Sequence, residues 1–277
     1  MTSESNAAQP RNTADAAHAP SLGDYAIQTW AVAAAEIQKL WHDPWELFTR
    51  AVQPALWLLL FGQVMAQVRG VSTGNLRYLD FLSAGILAQS CLFVAIFYGI
   101  SAIWERDLGV LQRYLVSPAP RSALVIGKAL SAGVRGLSQA IIVYILALVL
   151  GVGIALNPLH MLGVAAAIVL GSALFATLSL IIACIVKTRE RFMGIGQVLT
   201  MPIFFASNAI YPLSLMPAWL SVISHVNPLT YEVDLLRSLM LSNGVSDYGV
   251  WLDFGVLLAF TVVLTAIAAR MYGRMGY

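Results

Sequence analysis

Charged side chains are scarce in this chain, so the places where they gather define the chemistry open to it. One dense group is Glu105-Arg106-Asp107, which opens the stretch ERDLGVLQRYLVSPAPR over residues 105–121. Leu108, Leu111, Tyr114 and Leu115 share one face of a short helix there, and Ser117-Pro118-Ala119-Pro120 stops it. An amphipathic helix of this kind is a docking knob: its apolar side fills a partner's groove and its charges fix register. The plainer reading is a connector, although two helices need only a few residues between them. Arg135 reads either as a side chain snorkelling to the cytoplasmic interface or as a charge lining a cavity. Gln53, Gln63, Gln67, Gln139, Gln197 and Asn208 lie in or beside apolar runs. Polar groups there hydrogen-bond between helices or line a wet path.

The signatures of bond-making chemistry are missing from the sequence. Gly127-Lys128 is followed by Ala129 and lacks the upstream glycine of a phosphate loop. His18, His42, His160 and His225 are scattered, and no HExxH occurs. Cys91 and Cys184 sit in apolar runs without CxxC spacing and read as small buried residues. No carboxylate stands in the middle of a clean apolar run, where a proton- or sodium-coupled carrier needs one, and no half-sequence repeats. The expectation is a chain that is not an enzyme and holds no metal or cofactor. A secondary transporter, an intramembrane enzyme and a structural anchor are the weaker alternatives.

The elements that position these residues follow from composition. The hydrophobic share is 59% and the charged share 11%, against about 45–50% and about 25% for a soluble domain. The bilayer is therefore the expected solvent, and an all-α integral membrane protein the expected class. A net charge of +2 is too small to argue for nucleic acid. Residues 1–22 read as a disordered tail without a signal-peptide pattern. Over 23–48, Trp30, Ala34, Ile37 and Trp41 share one face and predict an amphipathic helix lying in the membrane interface. Six spans follow, at about 49–68, 81–104, 124–156, 161–186, 192–210 and 251–270. The third is expected to end at Asn157-Pro158. Residues 211–241 are broken by Pro212, Pro217 and Pro228 and carry Glu232, Asp234 and Arg237, which predicts a re-entrant pair of short helices. With the N-terminus inside, twelve Lys and Arg fall on the cytoplasmic side and three outside, so both termini are expected in the cytoplasm.

Three stretches resemble the permease subunits of type-2 ABC exporters. ERDLGVLQRYLVSPAPRSALVIGKAL (105–130) is similar to that family's cytoplasmic coupling segment, PIFFASNAIYPLSLMPAWL (202–220) to its fifth span and following hairpin, and NPLTYEVDLLR (227–237) to the segment before the last span. Asp107 departs from the family pattern, where many members have a small residue. The resemblance implies that two six-span subunits pair above two ATP-binding subunits, which hold ATP and Mg2+. It implies ATPase coupling by Glu105, Arg106, Asp107, Leu108, Gly109, Leu111, Arg113, Tyr114, Ser117, Pro118 and Arg121, together with the interfacial helix of Trp30, Ile37 and Trp41. It implies a path or gate of Gln53, Trp57, Phe204, Phe205, Asn208 and Tyr211. The outer lid would be the re-entrant segment with Pro212, Pro217, Trp219, Asn227, Pro228, Tyr231, Asp234 and Arg237. The expected cargo is a hydrophobic drug or lipid, with a polysaccharide or glycolipid as the alternative, exported across the cell membrane.

Overall fold

The computed structural model describes residues 44–67, 76–109, 121–186 and 188–272, together with Ile27, Trp30, Ala34 and Gln38. These residues are overwhelmingly helical: α1 (Pro44–Leu56), a π-helical stretch (Trp57–Gly62), α2 (Gln63–Ala66), α3 (Tyr78–Tyr98), α4 (Ile100–Asp107), α5 (Arg121–Val149), α6 (Pro158–Ile185), α7 (Arg189–Phe205), α8 (Ala218–Val226), α9 (Pro228–Met240) and α10 (Val250–Tyr272). Four stretches are long and apolar enough to cross a bilayer: Tyr78–Asp107, Leu124–Val149, Pro158–Ile185 and Val250–Met271. The first expected span contains a shorter apolar helix, Val52–Ala66. The fifth expected span is the 17-residue α7. At 1.5 Å per residue α7 is about 25 Å long, against a hydrocarbon core of about 30 Å.

The central helix is α6, which packs on α5, α10, α3 and α9. It is apolar on all sides, as a helix surrounded by others in a bilayer must be. One core gathers Leu58, Leu82, Leu92, Ile168, Phe175, Phe204 and Leu236. A second, at the end that carries Glu105, gathers Ile103, Val125, Leu180 and Phe192. Lipid tails are as apolar as these side chains, so close packing rather than escape from water holds the helices together. α10 turns apolar residues outward, with Trp251, Leu258, Val262 and Val263 exposed.

The helix ends correct several boundaries. The apolar run to Leu156 suggests that the third span reaches Asn157-Pro158, but α5 stops at Val149. Gly151 adopts φ +69°, the left-handed conformation that ends a helix without Cβ strain. Beyond it Ile154 forms an isolated bridge with Leu241, and the Ala155 N–H donates to the Met240 carbonyl at 2.8 Å. Asn157-Pro158 opens the next helix instead. The Asn157 Oδ1 accepts from the Leu159 N–H at 3.0 Å, and Pro158 occupies the first turn. The fifth helix is shifted towards the N-terminus: it begins at Arg189, capped by Thr188, and ends at Phe205 rather than near residue 210. The second span divides into α3 and α4 at Gly99, which keeps helical dihedrals, and the Ser179 hydroxyl donates to the Ile96 carbonyl beside it. Residues 211–241 hold a 3-10 turn (Leu213–Leu215) and the short helices α8 and α9. Trp30 is helical and exposed. Ile37, Trp41 and the tail of residues 1–22 lie outside the described residues.

Candidate translocation and coupling sites

After α7 the backbone is irregular from Ala206 to Pro212. Such backbone is tolerated at membrane depth only when protein groups satisfy it. Asn227 does this from the re-entrant segment. Its Nδ2 donates to the carbonyls of Ile203 (2.6 Å) and Ala206 (3.1 Å), while its Oδ1 accepts from the Leu229 N–H (3.0 Å) and caps α9. Arg237 donates to the Asn208 carbonyl at 2.7 Å and stacks over Phe81 at 3.7 Å. The Tyr78 hydroxyl donates to the Ile210 carbonyl at 3.1 Å. Gly85 on α3 makes room for the loop, since a Cβ there would collide with the Ala209 carbonyl. Pro217 precedes α8 and Pro228 opens α9, so both prolines stand where a helix needs no N–H. The Pro212 carbonyl accepts from the Leu215 N–H at 3.1 Å, closing the 3-10 turn.

The expected path residues separate into three groups, two of them beside this loop. Phe204 and Asn208 are fully buried, and Phe204 meets Trp57 edge-on at 5.7 Å. Trp57, Phe205 and Tyr211 line a cavity of about 430 Å3 together with Phe61 and Met65. Phe205 and Tyr211 also border a neighbouring cavity of about 770 Å3, walled by Ile203, Trp219, Val222 and Ile223. An aromatic and aliphatic lining of this size suits an apolar ligand. Gln53 belongs elsewhere: with Arg50, Arg135 and Gln139 it lines a third cavity of about 470 Å3 between α1, α3 and α5. Phe61, Met65, Tyr78 and Gly85 are additions that sequence reasoning missed. Only the fold shows which face of each helix meets the loop.

The first helix also depends on a neighbour. Pro54 lies inside α1 and cannot donate to the Arg50 carbonyl. Gln139 on α5 supplies the missing donor through its Nε2 at 3.2 Å. The π-helical stretch begins three residues after Pro54; such widened turns recur at functional sites.

At the same end as the loop after α7, Asp234 is fully buried and ties down the loop before α10. It accepts from the N–H groups of Asp247 (2.9 Å) and Tyr248 (3.2 Å). The Ser246 hydroxyl lies 2.8 Å from Asp234 and 3.0 Å from Asp253. Burial pushes the Asp247 carboxyl above its ordinary value, and the negative charge of Asp234 adds to the rise; Arg237 opposes it. Tyr231 packs on Tyr248 with ring centroids 5.1 Å apart.

At the other end, the charges after α3 reach two further helices. Glu105 pairs with Lys128 of α5 at 2.7 Å, largely out of solvent. Asp107 pairs with Arg189, the first residue of α7, at 2.9 Å and with Arg106 at 3.3 Å. Arg189 stacks over Trp104 at 3.5 Å, and Arg106 donates to the Val186 carbonyl at 3.5 Å. Leu108 is exposed and Gly109 leaves the helix with φ +71°. Arg121 opens α5. Leu111, Arg113, Tyr114, Ser117 and Pro118 lie outside the described residues.

A bundle of membrane-length helices that offers a ligand an aromatic groove at one end, and a partner a charged surface at the other, is built as a membrane permease. Comparison with known proteins gives the family: residues 27–241 match the ABC-2 type transporters, and the chain belongs to that family. It is 31% identical to the transport permease ycf38 of Cyanophora paradoxa, over 73% of this chain and 70% of that protein. It is 24% identical to the daunorubicin resistance ABC transporter permease protein DrrB1 of Streptomyces coeruleorubidus, over 92% and 90%. Nodulation protein J of Rhizobium leguminosarum bv. viciae shares 27%, over 77% and 79%. The chain is thus a transmembrane subunit of an ABC transporter, and its family implies an ATP-binding partner subunit and a transported substrate.

Proposed function

We propose that this chain is the permease subunit of an ATP-driven exporter for a hydrophobic drug-like or lipid-like substrate. The observation that carries the reading is the aromatic groove formed by Trp57, Phe205, Tyr211 and Trp219 beside the loop after α7. Similarity to a daunorubicin resistance permease over 92% of the chain supports it. The α1–α2 segment and α7 complete six crossings, with both termini in the cytoplasm of a cell whose plasma membrane holds the protein. A second copy or a close homologue faces α1 and α7. Two ATP-binding subunits sit beneath, and they hold the ATP and Mg2+; this chain contributes no catalytic group. The stretch from Glu105 to Arg121, with the interfacial helix around Trp30, docks on them. ATP binding acts by favouring one conformation over another. The ion pairs Asp107–Arg189 and Glu105–Lys128 carry that preference to α7 and α5. A polysaccharide or glycolipid is the second reading, favoured by Trp219, which stands 66% exposed on the groove as a stacking surface for a sugar ring.

Co-purification with the ATP-binding subunit encoded beside it tests the proposal. The expected result is a complex of two permeases and two ATPases whose hydrolysis rises with apolar amphiphiles and not with soluble glycans. Stimulation by glycans alone would select the second reading. A protein that purifies without any ATPase would overturn both.

A further inference from the structure

The sequence holds no carboxylate in the middle of an apolar run, but the fold brings one there from the re-entrant segment. Glu232 stands on α9 and is fully buried. Its carboxyl lies on the backbone of α6 at Gly171, in the space that a Cβ on that glycine would fill. Gly171 stands half-way along α6. In a helix that crosses the bilayer, that is the level of the midplane, farthest from water on either side. Among the described residues neither carboxyl oxygen has a hydrogen-bond partner, and no cation pairs with them. On the same helix Asp234 accepts from the loop before α10, and Arg237 donates to the Asn208 carbonyl. Cys91 of α3 is the titratable neighbour that would feel a charge on Glu232, and its thiol donates to the Gly136 carbonyl of α5 at 3.7 Å. Asp80 of α3 pairs with Arg77, Asp253 of α10 lies 3.0 Å from the Ser246 hydroxyl, and His225 of α8 bonds the Ser221 carbonyl. His160 and Cys184 lie near the two ends of α6. A carboxylate enclosed with neither a hydrogen bond nor a counter-charge is strongly disfavoured, whereas the neutral acid leaves only its hydroxyl open. Ionisable side chains at that depth are rare and mark ion and proton sites. A metal ion needs several converging ligands, and among the described residues no such group gathers. The ligand that fits one enclosed carboxyl is a proton.

We infer that Glu232 is a proton-binding site in the middle of the bundle, seated as a neutral acid against Gly171 of α6. Water reaching the carboxyl ionises it, so any opening of α9 from α6 releases the proton. Neither the path nor the coupling surface uses this residue. The test reads protonation alone, so its failure and the failure of the exporter reading are separate results.

Infrared spectra of the full-length protein in detergent would be recorded near neutral pH, where ordinary glutamates are ionised. The expected result is a carboxylic-acid carbonyl band that shifts in heavy water and is absent from Glu232→Gln. Loss of a carboxylate band instead, or of no band at all, overturns the proposal. Unfolding at several pH values gives a second readout. A proton bound in the folded state and lost on unfolding stabilises fully below the ordinary glutamate value, and less as pH rises towards the folded value. Over that window the unfolding constant of the wild type should grow about tenfold per pH unit relative to that of Glu232→Gln. A ratio that does not change with pH overturns the site. Gly171→Ala carries the test if Glu232→Gln does not fold: its methyl group meets the carboxyl, so the acid band should move. An unmoved band in that folded variant overturns the proposal.

Discussion

Asn227 serves two helices at once, closing the end of α7 with its amide N–H groups and starting α9 with its oxygen. Removing it leaves buried carbonyls unsatisfied, at about 1–3 kcal/mol each, and a helix start uncapped, at about 1 kcal/mol. Asn227→Ala should therefore lower the thermal midpoint in detergent strongly. Asn227→Asp keeps the cap and loses the donors, so it should fall between. An alanine variant with wild-type stability would refute this account. Asp247 makes a pH prediction. Its carboxyl is raised from the usual 3.8, so folding favours the protonated form. That contribution is fully present below the unfolded value and is lost as pH rises through the folded one. The thermal midpoint should decline as pH rises from 3.8 through the raised folded value, and Asp247→Asn should flatten the decline. The Asn-Pro pairs were legible as helix punctuation. The second role of Asn227 was not, because the carbonyls it serves lie 24 and 21 residues earlier in the chain.

Among the helices, α4 carries the strongest mechanical claim, because its two carboxylates lead to different neighbours. Asp107 and Arg189 are both part-exposed, and such pairs contribute about 0–1 kcal/mol. Glu105 and Lys128 are largely shielded, and losing one partner of a shielded pair costs on the order of 2 kcal/mol or more. Asp107→Ala should thus leave the thermal midpoint nearly unchanged while transport per ATP hydrolysed falls; Glu105→Ala should lower both. Full coupling in Asp107→Ala would remove the route through α7. The sequence marked Asp107 as unusual for the family, and the fold gives it a partner across 82 residues. Apolar runs coincide with the four membrane-length stretches. They misplaced the end of the third, because residues 152–156 are as apolar as a helix yet follow a left-handed glycine.

For the molecule as a whole, the end of the bundle beyond α7 rests on one loop lodged against α3. Gly85→Val should push the Ala206–Ile210 loop away from α3, since the added side chain meets the Ala209 carbonyl. In a background with Cys91 and Cys184 replaced by Ser, a cysteine at position 208 should resist a membrane-impermeant maleimide, as the wild-type Asn208 is fully buried. The same cysteine should label readily once Gly85→Val is added. Equal labelling in both would show that the loop is held by something else. Composition made the membrane class legible. It did not show which helix is central, because α6 and α10 are similarly apolar and only one is surrounded.

The donor that the Arg50 carbonyl takes from Gln139 has a consequence for biogenesis. The α1 helix leaves the ribosome with a backbone oxygen that Pro54 cannot satisfy, and its partner, Gln139, is made 89 residues later. Until then the nascent helix either keeps that oxygen near water at the translocon or holds it in lipid at a cost of several kcal/mol. Packing of α5 against α1 is what supplies that oxygen with its donor.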